Sequence, residues 1–243
     1  MALVVENLKV SVEGKEVVSG ASIEVPMGKI VALVGPNGSG KTSLGYAIAG
    51  HPSYTIDGGK VSFLGKNITY FKPDEKANLG IFLGFQSPPE VTGVGLFSYL
   101  REISKEKKTT LEFKESLDSL LKSIGLSEDF SKRYLNEGFS GGEKKKSEVL
   151  QLILRNPKIA ILDEPDSGLD VDGIKMIGET LTAQKKRGTG FLLITHHEKI
   201  LSYLKPDKVY VLLKGKMARE GGQELVGKIQ DKGYAWMKKK GGS

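Results

Sequence analysis

An α/β fold with a mostly parallel core sheet is predicted by three observations on this 243-residue chain. The segment Gly35-Pro36-Asn37-Gly38-Ser39-Gly40-Lys41-Thr42 stands between an apolar run, Ile30–Val34, and a helix-like run from Ser43 to Ala49. Three later runs, Ile159–Leu162, Phe191–Ile194 and Val209–Leu213, are almost continuously apolar, as strands covered on both faces are. Between the first two, Ile174, Ile177 and Leu181 share one face of a helix. Strands alternating with helices in this way build parallel sheets.

Taken in order, Leu3–Val10, Val17–Val25 and Ile30–Val34 read as strands, with turns at Gly14 and Pro26-Met27-Gly28. Val61–Asn67 reads as a further strand and turn. Ile81–Gln86 is a short apolar run ending in a polar residue, and Ser87-Pro88-Pro89 breaks the chain after it. Residues 95–135 change character: Phe113, Leu117, Leu120, Leu121 and Ile124 line one helical face, and Gly125 is a stop. The expectation is a single domain, residues 1–243. Residues 1–90 and 137–235 form its core with an antiparallel β subdomain, residues 91–136 an inserted α-helical lobe, and residues 237–243 a flexible tail. No internal repeat is present.

Composition narrows the classes. Lys and Arg number 36 against 29 Asp and Glu, a formal net charge of +7. No basic cluster is interleaved with aromatics, so a solvated surface is expected rather than a nucleic-acid partner. Without cysteine, disulfides and thiolate metal sites are excluded. No apolar run reaches the ~18 residues of a membrane span, and no direct membrane insertion is expected. Met1-Ala2-Leu3-Val4-Val5-Glu6 lacks a basic secretion-signal region, which gives a cytoplasmic expectation.

The segment Gly35–Thr42 fits G-x-x-x-x-G-K-[ST], the phosphate loop (Walker A) of P-loop nucleoside triphosphatases. Its glycines let backbone N–H groups wrap phosphates closely, and the helix that follows adds the positive end of its dipole. Gly35, Pro36, Asn37, Gly38, Ser39, Gly40, Lys41, Thr42 and Ser43 are the expected nucleotide-binding residues. Lys41 reaches the β- and γ-phosphates and the Thr42 hydroxyl holds Mg²⁺. Ile159–Leu162 ends in Asp163-Glu164, a Walker B pattern: Asp163 is expected on Mg²⁺ opposite Thr42, and Glu164 beside the γ-phosphate as the catalytic group that polarises water. Ser140-x-x-Glu143 is a capping box opening a helix, and its Gly141-Gly142 start is itself suited to phosphate. The adjacent pair His196-His197 comes with one other histidine and no cysteine, and no zinc site is expected from it.

Phe139-Ser140-Gly141-Gly142-Glu143-Lys144-Lys145-Lys146 resembles the Ser-Gly-Gly signature of ABC-type ATPases, with Glu143 where transporters usually carry Gln. The resemblance implies an ABC-ATPase head, with ATP and Mg²⁺ as cofactors and ATP hydrolysis as the reaction. It implies that Ser140, Gly141, Gly142 and Glu143 of one copy cover the γ-phosphate held by another. Ser167-Gly168-Leu169-Asp170 is similar to the D-loop at the subunit interface. Gln86 corresponds to the Q-loop glutamine, a Mg²⁺ ligand, and His196 to the switch histidine that contacts the γ-phosphate. The aromatic that often stacks on adenine, expected near Val12, is missing from Val10-Ser11-Val12-Glu13.

Longer stretches resemble the SufC family, the ABC-type ATPases of SUF iron–sulfur cluster assembly. They are Leu135–Phe139, Glu143–Lys145, Asp166–Asp172, His51–Tyr54, Phe85–Val91, Lys205–Val209 and Lys232–Trp236. Pro165 and Lys146 depart from that pattern, which usually has Thr or Ser and Arg. The resemblance implies SufB- and SufD-like scaffold partners, a second copy of the chain in the ATP-bound state, slow hydrolysis by a lone subunit, and a coupling surface near Gln86 to Tyr99. It also implies a regulatory pair, Lys145 with Glu164, in the isolated subunit. The alternative is the ATP-binding subunit of an ABC transporter docked to membrane permeases, with the same catalytic residues.

Overall fold

The computed structural model describes residues 2–196 and 198–239. Its first sheet is antiparallel. Strands β1 (Leu3–Val12) and β2 (Lys15–Val25) form a hairpin through Glu13 and Gly14, both at positive φ, the turn geometry that matches strand twist. Together with β4 (Thr55–Phe63) and β5 (Lys66–Asn67) they give the order β2-β1-β4-β5.

The second sheet holds β3 (Ile30–Val34), β6 (Ile81–Gly84), β9 (Ile159–Asp163), β10 (Gly190–Ile194), β11 (Lys208–Leu213) and β12 (Lys216–Gly221). Their order is β12-β11-β3-β10-β9-β6, and every neighbouring pair is parallel except β11 with β12. Alternate residues of its strands serve two cores. Ile30, Ala32, Val34, Phe191 and Leu193 pack on one side with the helical part of the chain. Val31, Leu33, Leu192 and Ile194 pack on the other, against helix α1 (Lys41–Ala49) and the antiparallel sheet. Burial on both faces is what the continuous apolar runs predict.

The remaining helices are α2 (Pro73–Leu79), α3 (Leu96–Ile103), α4 (Thr110–Ser123), α5 (Gly141–Arg155), α6 (Val171–Lys186), α7 (Glu198–Leu204) and α8 (Gln223–Lys232). Helix α4 buries the expected face: Phe113, Leu117, Leu121 and Ile124 are buried, and Leu120 packs beside them. It ends at Gly125, at φ +68°, a left-handed conformation that glycine takes without steric cost.

Two boundaries differ from expectation. The stretch 91–136 is not wholly helical: β7 (Val91–Gly95) pairs with β8 (Tyr134–Leu135) across its base, closing its two ends. Nor does a flexible tail start at residue 237. Ala235–Lys239 forms a 3-10 turn, with Trp236 and Met237 packed against the core and Arg219 over the Trp236 ring. Those aromatic and sulfur side chains have apolar area to bury, and that fixes the segment. The Gly-Gly-Ser end of the expected tail lies outside the described residues, as does His197.

Candidate active site

The phosphate loop leaves the end of β3 and enters α1, as the motif requires. Two of its glycines are demanded by space. A Cβ on Gly35 would stand 2.2 Å from the Leu212 carbonyl oxygen and 2.8 Å from Ser39 Oγ. One on Gly40, at φ +98°, would stand 2.6 Å from the Val17 carbonyl oxygen. The Lys41 ammonium donates to the carbonyls of Gly35 (2.8 Å) and Pro36 (3.0 Å). Burial pushes its pKa below the ordinary lysine range, opposed by the carboxylates of Glu164 and Asp163.

Asp163 ends β9, separated from β3 by β10. It is 1% exposed, and neither carboxylate oxygen receives a hydrogen bond of normal geometry. Burial raises its pKa to about 6, although the nearby Thr42 hydroxyl and the charge of Lys41 counteract this in part. An orphaned buried carboxylate beside a hydroxyl fits a hard divalent cation, and Asp163 with Thr42 would hold Mg²⁺ there.

Glu164, 8% exposed, has a left-handed backbone (φ +47°), and its N–H donates to the Ile194 carbonyl at 2.8 Å. Such a conformation costs about 1 kcal/mol or more in a residue with a side chain, and here it fixes where the carboxylate points. One carboxylate oxygen accepts from Gln86 Nε2 at 3.0 Å, and the other lies 2.7 Å from His196 Nδ1. The three residues come from the ends of β6, β9 and β10. Gln86 and Glu164, together with Val17 and Asn37 to Ser43, line one cleft of about 310 Å³.

The signature segment is elsewhere. Ser140 caps α5 in a reciprocal box with Glu143, and Ser140 and Gly141 are exposed. None of Ser140, Gly141, Gly142 and Glu143 lines the phosphate-loop cleft. Gly142 instead faces the D-loop: a Cβ there would meet the Gly168 carbonyl oxygen at 3.2 Å and Leu169 at 3.3 Å. Within that D-loop the Ser167 N–H donates to the Glu164 carbonyl (3.1 Å), and Asp170 caps α6 by accepting from the Gly173 N–H (2.8 Å). Signature and D-loop therefore form one continuous surface, and the D-loop is tied to Glu164.

The ABC transporter family model matches residues 18–167 of this chain. The chain belongs to the ABC transporter ATPase family. It is an ATPase cassette that works on ATP with Mg²⁺. The cassette is 39% identical over 242 residues to "Vegetative protein 296" of Bacillus subtilis (strain 168), covering 97% of this chain and 93% of that one. It is 42% identical over 244 residues to the "Probable ATP-dependent transporter ycf16" of Cyanidium caldarium, covering 97% and 96%. Among solved structures, the ATP-binding cassette MJ1267 of an ABC transporter superposes with a TM-score of 0.77 at 29% identity, over 95% of both chains.

The structure corrects one pairing in the cassette. Lys145 does not meet Glu164. It is 3% exposed, and its ammonium donates to the carbonyls of Phe85 and Asp163 (3.2 Å to the latter) and pairs with Glu148 at 3.4 Å. The cause is helix register. Lys145 shares the inward face of α5 with Glu148, Val149 and Leu152, at i+3, i+4 and i+7, whereas Lys144 turns out to Glu90 and Lys146 to the Gly125 carbonyl.

Two residues near the site were not legible from motifs. The Tyr46 hydroxyl accepts from the Gln86 N–H at 3.0 Å, and burial pushes its pKa up to about 12. Glu148 accepts from the Phe85 N–H at 2.6 Å. The i, i+3 spacing of Lys145 and Glu148 on a buried face is the signal that would have found the second. Val17, from β2, lines the nucleotide cleft where an aromatic would be a stacking platform.

Proposed function

We propose that the cassette is the ATP-hydrolysing subunit of a SufB–SufC–SufD-type complex, in which ATP closes two copies face to face and hydrolysis separates them. The observation that carries the two-copy reading is the split site. The cleft holding Lys41, Thr42, Gln86 and Glu164 is lined by no signature residue, while Ser140 and Gly141 are exposed on another surface. In this reading Ser140, Gly141 and Gly142 of each copy cap the nucleotide of the other, and Ser167–Asp170 lies along the contact. The C2 geometry makes two equivalent sites.

Within one site, Gly35 to Ser43 wrap the phosphates and Lys41 neutralises the β- and γ-oxygens. Thr42, Asp163 and Gln86 hold Mg²⁺, which supplies charge neutralisation on the phosphates. Glu164 accepts a hydrogen bond from the attacking water and orients it in line with the γ-phosphate. His196 and Gln86 hold that carboxylate from both of its oxygens, and in this reading His196 also contacts the γ-phosphate. The expected outcome of Glu164→Gln is retained ATP binding, turnover lowered by about 10²-fold or more, and an accumulated ATP-bound dimer. Normal turnover in that variant refutes the role of Glu164.

The SUF assignment is supported by the stretches from His51–Tyr54 to Lys232–Trp236, of which His51–Tyr54, Lys205–Val209 and Lys232–Trp236 lie outside the common motifs. The cluster would be built on the partners, consistent with a chain that has no cysteine. A second reading, a cassette docked to membrane permeases, is favoured by the name of the Cyanidium relative. No helix among the described residues is long and apolar enough to cross a membrane, so either partner would dock on the cassette's surface. Affinity purification from native cells decides: SufB/SufD-like chains support the first reading, and a permease replaces it.

A further inference from the structure

The nucleotide-site roles above leave one buried ionic pair without a task. Lys145 and Glu148 are 3% and 7% exposed. They stand on the first turns of α5, whose N-cap is Ser140. Burying such a pair contributes little net stability, because desolvation of both charges offsets their attraction. What is specific here is what the pair holds. The Glu148 carboxylate accepts the Phe85 N–H at 2.6 Å, and the Lys145 ammonium donates to the Phe85 carbonyl, so both polar groups of one peptide residue are clamped. The same ammonium donates to the Asp163 carbonyl at 3.2 Å.

Phe85 directly precedes Gln86, and Asp163 directly precedes Glu164. The two clamped residues are therefore the immediate neighbours of the two ends of the Gln86–Glu164 hydrogen bond at 3.0 Å. Close approach is secured by Gly84, where a Cβ would stand 2.9 Å from Leu162 and 3.7 Å from the Glu148 carboxylate. A rigid helix thus runs from the exposed signature to the backbone on which the water-orienting carboxylate and its partner are mounted.

The geometry points to Lys145 and Glu148 as a positioning pair that ties the signature helix to the Gln86–Glu164 contact. They touch neither nucleotide nor water. They set the separation of Gln86 and Glu164, and any tilt of α5 when Ser140 engages a second copy reaches both residues through them. This rests on the reading of Glu164 as the water-orienting group.

The test uses the full chain. Lys145→Met with Glu148→Leu removes the pair while leaving no lone buried charge, which keeps the fold. Glu148→Gln is the smaller change, retaining an acceptor for the Phe85 N–H and removing the charge that holds Lys145. Val149→Ala, on the same buried face of α5, is the comparator for loss of packing alone. The expected result is a kcat about tenfold or more below wild type in the double variant, with the KM for ATP changed by less than about threefold, and a smaller loss of the same kind in Glu148→Gln. Val149→Ala should lower Tm and leave kcat in place. Wild-type kcat in both pair variants, or a fall in kcat in Val149→Ala that matches theirs at equal loss of Tm, overturns the inference. Glu164→Gln run alongside separates the two claims. If it is inactive while the pair variants are normal, only the positioning role fails; if it is active, the reading beneath it fails.

Discussion

Asp163→Asn should make the cassette more stable while disabling it. Asp163 is almost wholly buried with no hydrogen bond of normal geometry to either oxygen, and burial raises its pKa from 3.8 to about 6. The native state therefore binds a proton more tightly than the unfolded chain does. The associated stability is fully present below pH 3.8 and is lost as pH rises through about 6. By pH 8 the ionised carboxylate costs about 3 kcal/mol relative to an unperturbed one. Asparagine keeps the shape and removes the charge, so the variant should gain about that amount at pH 8. For a chain of this size the gain corresponds to roughly 6–12 °C in Tm. The assay is thermal unfolding in EDTA without nucleotide at pH 8 and pH 4, followed by Mg²⁺ titration. The gain should vanish at pH 4, and Mg²⁺ with ATP should raise the Tm of wild type far more than that of the variant. A variant no more stable than wild type at pH 8, or equally stabilised at pH 4, refutes the reasoning.

The other predictions test single contacts. Lys41→Ala should weaken ATP binding by about tenfold or more, measured by equilibrium titration, because the proposed role puts its ammonium on the β- and γ-phosphates; unchanged affinity contradicts that role. With Val17 at the cleft in place of an aromatic, competition titration should show ATP favoured over GTP by less than about tenfold, and Val17→Tyr should raise the affinity for ATP. Ser140→Ala removes the cap of α5 and should cost about 1 kcal/mol of stability by chemical denaturation, while also lowering turnover.

The parts of this molecule that local pattern dictates were readable in advance. The phosphate loop is a contiguous motif, and the strands buried on both faces announce themselves as apolar runs. Helix α4 repeats its apolar residues at helical spacing. The elements that escaped lack such a pattern. Helix α2 has a single buried residue, Lys76, whose ammonium donates to the carbonyls of Ile48 and Thr69, so no apolar face exists to detect. Strand β7 is nearly all exposed, and β12 buries no residue fully, each existing only because a partner strand satisfies its backbone. In the active site, Asp163 and Glu164 were legible beside the phosphate loop, but the partner of Lys145 was not. Three successive lysines look alike in sequence, and only the rotation of α5 sends Lys144 and Lys146 to the surface and Lys145 inward to Glu148.

The claim on which the account turns is that one chain supplies half of each working site. Mixing two disabled forms tests it most directly, one carrying Lys41→Ala and the other Gly142→Asp. Random pairing restores an intact phosphate loop facing an intact signature in about a quarter of all sites. The mixture should hydrolyse ATP at about a quarter of the wild-type rate while each form alone is nearly silent. A mixture no faster than the sum of its inactive parts, or undiminished hydrolysis by Gly142→Asp alone, contradicts it.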